Sequence, residues 1–401
     1  MKTAKLANIA DIQTGPFGSQ LHKEDYVDAG TPIVTVEHLG RRKLSNKNVP
    51  FVSESDAHRL SKYSLEQGDI VFSRVGSVDR CSQVSENEAG WLFSGRCLRV
   101  RPNDSMIDPD YLYYFLTLPK TQEFIRAIAV GATMPSINTS LLGEVDIDLP
   151  PLSEQVGIAK GLGALDDKIS TNVRIINATD SLVDVLYSRV SKMPTEQSFA
   201  EVAQVFGGST PSTKNDAFWD GDINWATPTD ITALGGPWIG DTSRKITEAG
   251  LASMSSSLHP ENSILLTSRA TIGAIALASG PIATNQGFIV VEAPDELTPW
   301  LFAQMKARKR EFEAWANGAT FMELSRGNFK KLPFIGCSDD DLQAFNDAAW
   351  PLLKRAQAAQ KENQVLARTR DELLPLLMSG RITVGEAEEA ADVAGSAASE
   401  S

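Results

Sequence analysis

The sequence predicts an α/β (α+β) fold present twice: two tandem globular domains separated by two long helices that pair as an antiparallel coiled coil, pseudo-two-fold symmetric. Three observations predict it. The length of 401 residues suits two cores better than one, short motifs recur in the same order, and a long apolar stripe follows each half. We place the first domain at residues 1–150, the first spacer helix at 151–193, the second domain at 194–336, the second spacer helix at 337–380 and a disordered acidic tail at 381–401.

The duplication rests on three pairs of matching segments, each weak alone but kept in order along the chain. They are residues 9–15 (IADIQTG) with 202–208 (VAQVFGG), 70–74 (IVFSR) with 264–269 (ILLTSR, with one inserted residue), and 131–133 with 318–320 (both GAT). The second pair puts Arg74 and Arg269 at equivalent positions after a buried strand. An arginine there either reaches a guanine edge or a phosphate or braces a loop through a carboxylate. Because both copies keep it, we favour bracing.

Each half has the pattern of a mixed domain with short strands. β-branched and apolar runs bounded by turn residues predict these strands, at residues 31–36, 69–72, 223–226 and 263–266. Apolar segments rich in aromatic residues at 111–116 and 300–302 begin helices that carry Lys and Arg on their polar side.

Apolar residues at alternating steps of four and three mark a heptad seam on each long helix, which is typical of a coiled coil. The seam includes Ile158, Leu162, Leu165, Ile169, Asn172, Ile176, Val183 and Leu186 on the first helix, and Leu352, Asn363, Leu366, Leu373 and Leu377 on the second. We expect these residues to pack the helices together and to dock partners. Asn172 and Asn363 either fix the register as buried polar residues or lie at frayed, wet positions; we favour the first.

The formal net charge of −13 points away from nucleic acid when taken alone. Binding depends on where Lys and Arg lie, however, and they are clustered. The three cysteines have no CxxC spacing, which argues against disulfides or zinc and fits a reducing cytoplasm. No apolar run is long enough to span a membrane.

Motifs for catalysis are missing from the sequence. It contains no Asn/Asp-Pro-Pro-Tyr/Phe methyltransferase tetrad, no glycine-rich cofactor turn, no GxxxxGK[ST] loop for ATP and no HExxH motif. We therefore expect no catalytic residue and no metal site, and interpret the chain as a binding protein rather than an enzyme.

Four segments carry a family resemblance: residues 149–155 (LPPLSEQ), 208–225 (GSTPSTKNDAFWDGDINW), 266–273 (LTSRATIG) and 283–288 (ATNQGF). With them, residues 6–384 resemble the specificity subunit of a Type I restriction-modification system. The resemblance implies two target-recognition domains, each reading one part of a bipartite asymmetric site in double-stranded DNA. The helices would set the spacing and dock two modification subunits.

The resemblance also implies where the chemistry of such a system resides. The modification subunits carry S-adenosylmethionine and methylate adenine, and two restriction subunits, where present, use ATP and Mg. The specificity subunit itself holds no cofactor and does no chemistry.

Polar loops in which the two copies differ are the candidates for DNA contact. In the first half they are Lys23, Arg41, Arg42, Lys43, Ser77 and Arg80, together with Arg74; in the second they are Thr210, Ser212, Thr213, Lys214, Arg244 and Lys245, together with Arg269. An exposed loop without a function is the alternative for each of them.

The second copy departs from the first where its helix begins. It has residues 337–342 (CSDDDL) in place of 150–155 (PPLSEQ). This difference leaves open whether the two helices dock partners equivalently. A two-lobed coiled-coil scaffold that bridges proteins without reading DNA is the main alternative, and the acidity favours it slightly. A self-contained methyltransferase is a third possibility, against which the missing motifs speak.

Overall fold

The computed structural model describes residues 2–316 and 322–387, apart from the side chains of Ser19 and Lys23. The chain forms two compact units. Unit 1 comprises residues 2–167 and 366–387, and unit 2 comprises the described residues between 168 and 365. Residues 318–320 of the third repeat pair and residues 388–401 of the predicted tail lie outside the described residues.

Unit 1 contains short strands and helices followed by the start of a long helix. Its strands are β1 (Lys2–Lys5), β2 (Ala10–Thr14), β3 (Tyr26–Val27), β4 (Thr31–Val34), β5 (Arg42–Lys43), β6 (Phe51–Val52), β7 (Ile70–Ser73), β8 (Cys81–Gln83), β9 (Leu92–Phe93), β10 (Cys97–Pro102) and β11 (Asp146–Leu149). Its helices are α1 (Glu54–Arg59), α2 (Pro109–Leu116), α3 (Pro119–Ile128), α4 (Thr139–Gly143) and α5 (Leu152–Arg189), the last of which continues into unit 2.

Unit 2 repeats this arrangement of elements. Its strands are β12 (Met193–Ser198), β13 (Gln204–Gly207), β14 (Trp219–Ala226), β15 (Trp238–Ile239), β16 (Lys245–Ile246), β17 (Ile264–Thr267), β18 (Ile275–Ala278), β19 (Ala283–Thr284), β20 (Phe288–Glu292) and β21 (Pro333–Gly336). Its helices are α6 (Phe199–Val202), α7 (Pro228–Thr232), α8 (Glu248–Ala252), α9 (Thr298–Ala307), α10 (Lys309–Ala314), α11 (Arg326–Lys331) and α12 (Asp339–Met378), whose last residues belong to unit 1.

The main sheets of the two units have the same strand order. It is β2-β10-β7-β8-β5 in unit 1 and β13-β20-β17-β18-β15 in unit 2. Each unit also has a two-stranded sheet, β1-β11 in unit 1 and β12-β21 in unit 2. A further small sheet in each unit contains one parallel strand pair, β4-β9 in unit 1 and β14-β19 in unit 2. The predicted mixed fold of two tandem domains is confirmed.

Backbone hydrogen bonds correct the alignment of the two arginines. The Arg74 N–H donates to the Arg96 carbonyl, and the Ser268 N–H donates to the Gly287 carbonyl, both at 2.8 Å. Arg74 therefore corresponds to Ser268. The prediction that Arg74 and Arg269 are equivalent is wrong by one residue, because the sequence match assumed an insertion that β17 does not contain.

The central strands are buried on both faces, which explains their continuous apolar runs. In β7, Ile70 and Phe72 pack in the core shared with α2, whereas Val71 packs in a second core under the smaller sheet. In β17, Leu265 likewise faces a different core from its neighbours. Successive strand residues point to opposite faces, so each unit has two apolar layers.

The long helices pack against each other in antiparallel fashion within unit 2. Asn172 Nδ2 lies 3.0 Å from Asn363 Oδ1, while further along α5 the Tyr187 ring centroid is 6.2 Å from that of Phe345. Asn172 is fully buried and its Nδ2 also donates to Glu362 at 2.7 Å. The two predicted polar seam residues thus form a hydrogen-bonded pair.

In unit 1 the two helices pack together with α2. Ile158 and Leu162 of α5 share a core with Leu373 and Leu377 of α12. Gly380 ends α12 with a φ of 68°. Its N–H donates to Leu377 and the next N–H to the Leu376 carbonyl, which is the Schellman arrangement.

The first residues of the predicted tail are ordered, which corrects the boundary at 381. Ile382 and Val384 pack against the unit 1 core, and Ala387 is buried in it. A side chain at Gly157 would approach Val384 to 3.2 Å. The sequence analysis missed this short apolar segment because acidic residues dominate the composition of the tail.

Candidate nucleic-acid interface

In each unit, two loop segments cross with their backbones in close contact at a glycine, Gly15 with Ser94 in unit 1 and Gly208 with Asn285 in unit 2. We call this contact the glycine crossing. A Cβ on Gly15 would lie 2.2 Å from the Ser94 carbonyl oxygen, and one on Gly208 would lie 2.1 Å from that of Asn285. Only glycine permits these approaches. The loop that follows each glycine is thereby fixed, and it presents Phe17 in unit 1 and Thr210 in unit 2 to the solvent.

In unit 1, Phe17 is 62% exposed and has arginine beside it. The Arg74 guanidinium lies 5.7 Å from the centroid of the Phe17 ring, and its Nη1 donates to the Gly95 carbonyl at 3.2 Å. Arg96, on the same crossing, is exposed. Arg74 therefore contacts the crossing through a carbonyl and not through the carboxylate that the sequence interpretation named. Sequence reasoning missed Phe17, since a single phenylalanine in a loop gives no pattern.

The basic run at residues 41–43 faces the long helices of unit 1. Arg41 pairs with Asp371 at 2.5 Å, and Lys43 lies 3.7 Å from Asp167. Arg42 is the most enclosed: its side chain is 15% exposed, Nη1 donates to the Gly163 carbonyl at 3.1 Å, and its backbone N–H donates to the Tyr113 hydroxyl.

The candidate role of these three residues in reading DNA is not supported by their placement. Burial lowers the pKa of Arg42, but the carboxylates of Asp110 and Asp167 outweigh it, so the pKa lies above its ordinary value and the charge is retained. Arg42 and Lys43 form edge strand β5, and Arg41 directly precedes it. The corresponding strand β15 docks on α12 through Trp238, whose Nε1 donates to the Leu353 carbonyl at 2.7 Å. The run is a docking edge of the sheet, which composition alone could not reveal.

The remaining unit 1 candidates are scattered. Ser77 is exposed, and Arg80 donates to the Leu39 carbonyl. The backbone of Lys23 lies in a 3-10 turn, while its side chain is outside the described part of the chain.

In unit 2, Arg244 lies over two tryptophans. Its guanidinium carbon is 3.5 Å from the Trp219 ring centroid and 5.8 Å from that of Trp225. Both rings are buried, and hydrogen bonds fix their orientation. Trp219 Nε1 donates to the Ser212 carbonyl, and Trp225 Nε1 donates to the Ser209 carbonyl. Arg244 is exposed and makes no ion pair with a described residue. A guanidinium stacked in this way keeps its N–H donors free at the edge.

The turn that carries Arg244 is fixed by a half-buried carboxylate. Asp230 accepts hydrogen bonds from the Ser243 N–H at 2.9 Å and from the Thr227 hydroxyl and N–H at 2.7 Å. Burial raises the pKa of Asp230, but these hydrogen bonds outweigh it and bring the pKa below its ordinary value. The carboxylate is ionised at neutral pH and orients the turn.

The other unit 2 candidates divide into free and paired side chains. The side chains of Thr213 and Lys214 are exposed and make no hydrogen bond or ion pair with a described residue, whereas Thr210 donates to Gln286 at 2.5 Å. The Ser212 hydroxyl accepts the N–H of Lys214 at 3.4 Å. Lys245 pairs with Asp241 at 3.2 Å and Arg269 with Glu323 at 2.9 Å. Arg269 thus braces a loop through a carboxylate, as favoured from the sequence.

The seam residues expected to dock partners are largely enclosed within the units. Ile158, Leu162, Asn172, Ile176, Val183, Leu373 and Leu377 are buried, and Leu165, Ile169, Leu186, Leu352, Asn363 and Leu366 are half-buried. The fully buried ones are not accessible to a partner. Exposed apolar side chains lie elsewhere on α5, namely Leu152, Val156, Val173, Leu182 and Val185.

A buried ionic group joins the helices in unit 1. Asp166 of α5 pairs with Arg370 of α12, and Asp166 Oδ2 accepts the hydroxyl of Tyr114 at 2.7 Å. Burial and the adjacent Asp166 carboxylate raise the pKa of Tyr114, so its hydroxyl stays protonated and remains a donor.

Within residues 2–316 and 322–387, no three His, Cys, Asp or Glu residues are arranged to hold a metal ion. Over the same residues, no helix has the length and hydrophobicity needed to cross a membrane.

Two units of one topology, with different side chains on equivalent exposed loops, define a tandem-repeat protein. Residues 1–179 and 196–335 match the Type I restriction modification DNA specificity domain. The chain belongs to this family, the specificity subunits of Type I restriction-modification systems.

Two archaeal relatives illustrate the extent of the likeness. The Type I restriction enzyme MjaIX specificity subunit of Methanocaldococcus jannaschii is 32% identical over 191 residues, which is 46% of this chain and 44% of that one. The chain thus matches less than half the length of that relative. The putative MjaX specificity subunit of the same organism is 22% identical over 398 residues and is matched over 89% of its length.

The crystal structure of the S subunit from M. genitalium has the same fold. It superposes with a TM-score of 0.61 at 16% identity, covering 94% of this chain and 95% of that one. At that identity the likeness concerns the fold alone.

Proposed function

We propose that the chain is the non-catalytic DNA-recognition subunit of a Type I restriction-modification complex. Each unit reads one part of a bipartite asymmetric site, and α5 and α12 set the spacing between the two parts. The observation that carries the proposal is the repeated strand order with unlike side chains on equivalent loops. After the same glycine crossing, unit 1 exposes Phe17 beside Arg74, and unit 2 exposes Thr210 bonded to Gln286.

Arg244 is the best-placed group for reading a base. Stacking on Trp219 holds the guanidinium flat and leaves its donors free, as bidentate contact with guanine O6 and N7 requires. No carboxylate among the described residues competes for it. Thr213 and Lys214, exposed on the neighbouring loop, supply further polar contacts.

The partners of such a subunit follow from the family. We propose that two modification subunits carrying S-adenosylmethionine dock on the long helices and methylate adenine in the site. Two restriction subunits, using ATP and Mg, complete the assembly where the system has them, and the complex acts on DNA in the cytoplasm. The exposed Leu182 and Val185 of α5, one turn apart, support docking of a protein on its outer face.

Binding of DNA by the assembled complex at several salt concentrations tests the proposal. Phosphate contacts release counterions, so affinity for a duplex containing the site should fall steeply as salt rises. The modification subunits are included because the formal charge of this chain is −13. A complex that assembles but shows no salt-dependent DNA binding would instead support a scaffold that bridges proteins. S-adenosylmethionine binding by the isolated chain would contradict the non-catalytic assignment.

A further inference from the structure

Unit 2 has an open polar cleft of about 450 Å³ next to the Gly208 crossing. Ser255, Ser256, Ser268 and Gln286 line it, together with Arg326 at the start of α11. Arg326 is exposed and makes no hydrogen bond or ion pair with a described residue. The cleft therefore combines hydroxyl groups with one guanidinium whose donors are unused.

The one carboxylate in the lining is already neutralised. Glu323 Oε1 lies 2.9 Å from Arg269 Nε, so it does not cancel the charge of Arg326. The aromatic residue of the lining, Phe288, is only 2% exposed and offers no face for a base to stack on. Hydroxyls and a free guanidinium without a stacking surface suit a phosphate better than a base.

In unit 1 the arginine next to the glycine crossing comes from a different element of the chain. Arg74 occupies the backbone position of Ser268, and its guanidinium bonds to the Gly95 carbonyl at the crossing. In unit 2 the small Ser268 leaves that space open, and Arg326 approaches from α11 instead, with Nη1 3.5 Å from where a Cβ of Gly207 would lie. Both crossings thus carry an arginine.

Ser209 makes hydrogen bonds both to the tryptophan pair under Arg244 and to a residue of the cleft. The Ser209 carbonyl accepts the Trp225 indole N–H at 3.1 Å, and its hydroxyl lies 2.9 Å from that of Ser256 in the cleft. A phosphate held in the cleft would therefore fix the DNA backbone beside the group that reads a base, which is how phosphate contacts set the register of a reader.

We propose that this cleft binds one phosphodiester of the DNA backbone, with Arg326 as the ion-pairing group and the hydroxyls of Ser255 and Ser256 as additional donors. The proposal rests on the DNA-recognition function given above. It differs from that function in assigning Arg326 to backbone positioning and not to sequence.

The test uses the assembled complex and the variants Arg326→Ala and Arg326→Lys, with Lys331→Ala as a control that removes one charge from the exposed end of the same helix. Affinity is measured across a salt series for a duplex with the recognised site and for one with the unit 2 half-site altered. Arg326→Ala should weaken binding roughly ten-fold on both duplexes. It should also reduce the slope of log affinity against log salt by about 1, whereas Arg326→Lys and Lys331→Ala should keep the slope.

Two results would overturn the inference. An unchanged slope in Arg326→Ala would mean that no phosphate contact is lost, and selective loss of discrimination between the duplexes would make Arg326 a base reader. Neither result affects the recognition function, which in this experiment fails if the unaltered complex lacks salt-dependent binding.

Discussion

Arginine side chains of this protein lie in different environments, and the neighbouring residues determine whether each one is enclosed or available for binding. Arg42 is enclosed by the Gly163 carbonyl and the carboxylates of Asp110 and Asp167, so its charge serves the packing of β5 on α5. Arg244 lies on the Trp219 ring with its edge toward solvent. The sequence lists both in basic loops, and only the long-range contacts separate a structural arginine from the one that we propose to read a base.

Replacing Arg244 should relax recognition of one half-site. Arg244→Ala removes the bidentate donor and should cost about 1–3 kcal/mol of binding to the recognised duplex, with reduced discrimination at one base pair. Arg244→Lys should recover only part of this, because an ammonium lacks the planar fork. Binding to duplexes that vary one base pair at a time measures the effect.

Lys245→Ala is the matched control, since Lys245 is adjacent and already paired with Asp241. It should leave discrimination unchanged. If the two alanine variants behave alike, Arg244 contributes charge only.

The Asp166–Arg370 pair should be important for the stability of unit 1. Asp166→Asn leaves Arg370 buried without its main counter-charge and should lower the free energy of unfolding by about 3–5 kcal/mol. Asp371→Asn removes an exposed carboxylate and should change it by about 1 kcal/mol or less. Urea unfolding of the full chain compares them, and equal shifts would show that the buried pair is not important.

At the scale of elements, α5 and α12 were the most predictable parts of the fold. Their heptad seam is a local, repeated signal, and it correctly placed Ile158, Leu162 and Ile176 inside. The seam could not show that strands β5 and β15 dock on the same helices. That contact joins residues far apart in the chain, as with Arg42 Nη1 and the Gly163 carbonyl of α5, 121 residues away.

Shortening both helices by one heptad should shorten the DNA spacer. Deleting residues 168–174 together with 363–369 keeps Asp166 opposite Arg370 and removes Asn172 with Asn363. The loss of seven residues is about 10 Å by helix rise, or roughly 3 base pairs at 3.4 Å each. Mapping of methylated adenines should therefore show both half-sites unchanged with a shorter gap.

A four-residue deletion at the same places is the control, because it breaks the heptad phase and should prevent stable assembly. A spacer of unchanged length in the seven-residue variant would show that the helices do not set the distance.

At the scale of the whole molecule, the duplication was readable because strands β2 and β13 and strands β7 and β17 kept their apolar pattern. Its details were not readable: the match of Arg74 to Arg269 was off by one residue, and only strand pairing placed Arg74 with Ser268. Cation–π stacking at Arg244 and the polar cleft at Arg326 also depend on loops meeting in space. Such contacts leave no periodic signal in the sequence.

The central claim is that each unit reads its own part of the site. The most direct measurement maps methylated adenines in DNA exposed to the assembled complex, with the native chain and with a chain whose residues 200–335 come from a relative of different specificity. Both chains should give a bipartite motif, with one part identical and the other replaced. A motif in which both parts change, or neither does, would contradict the claim.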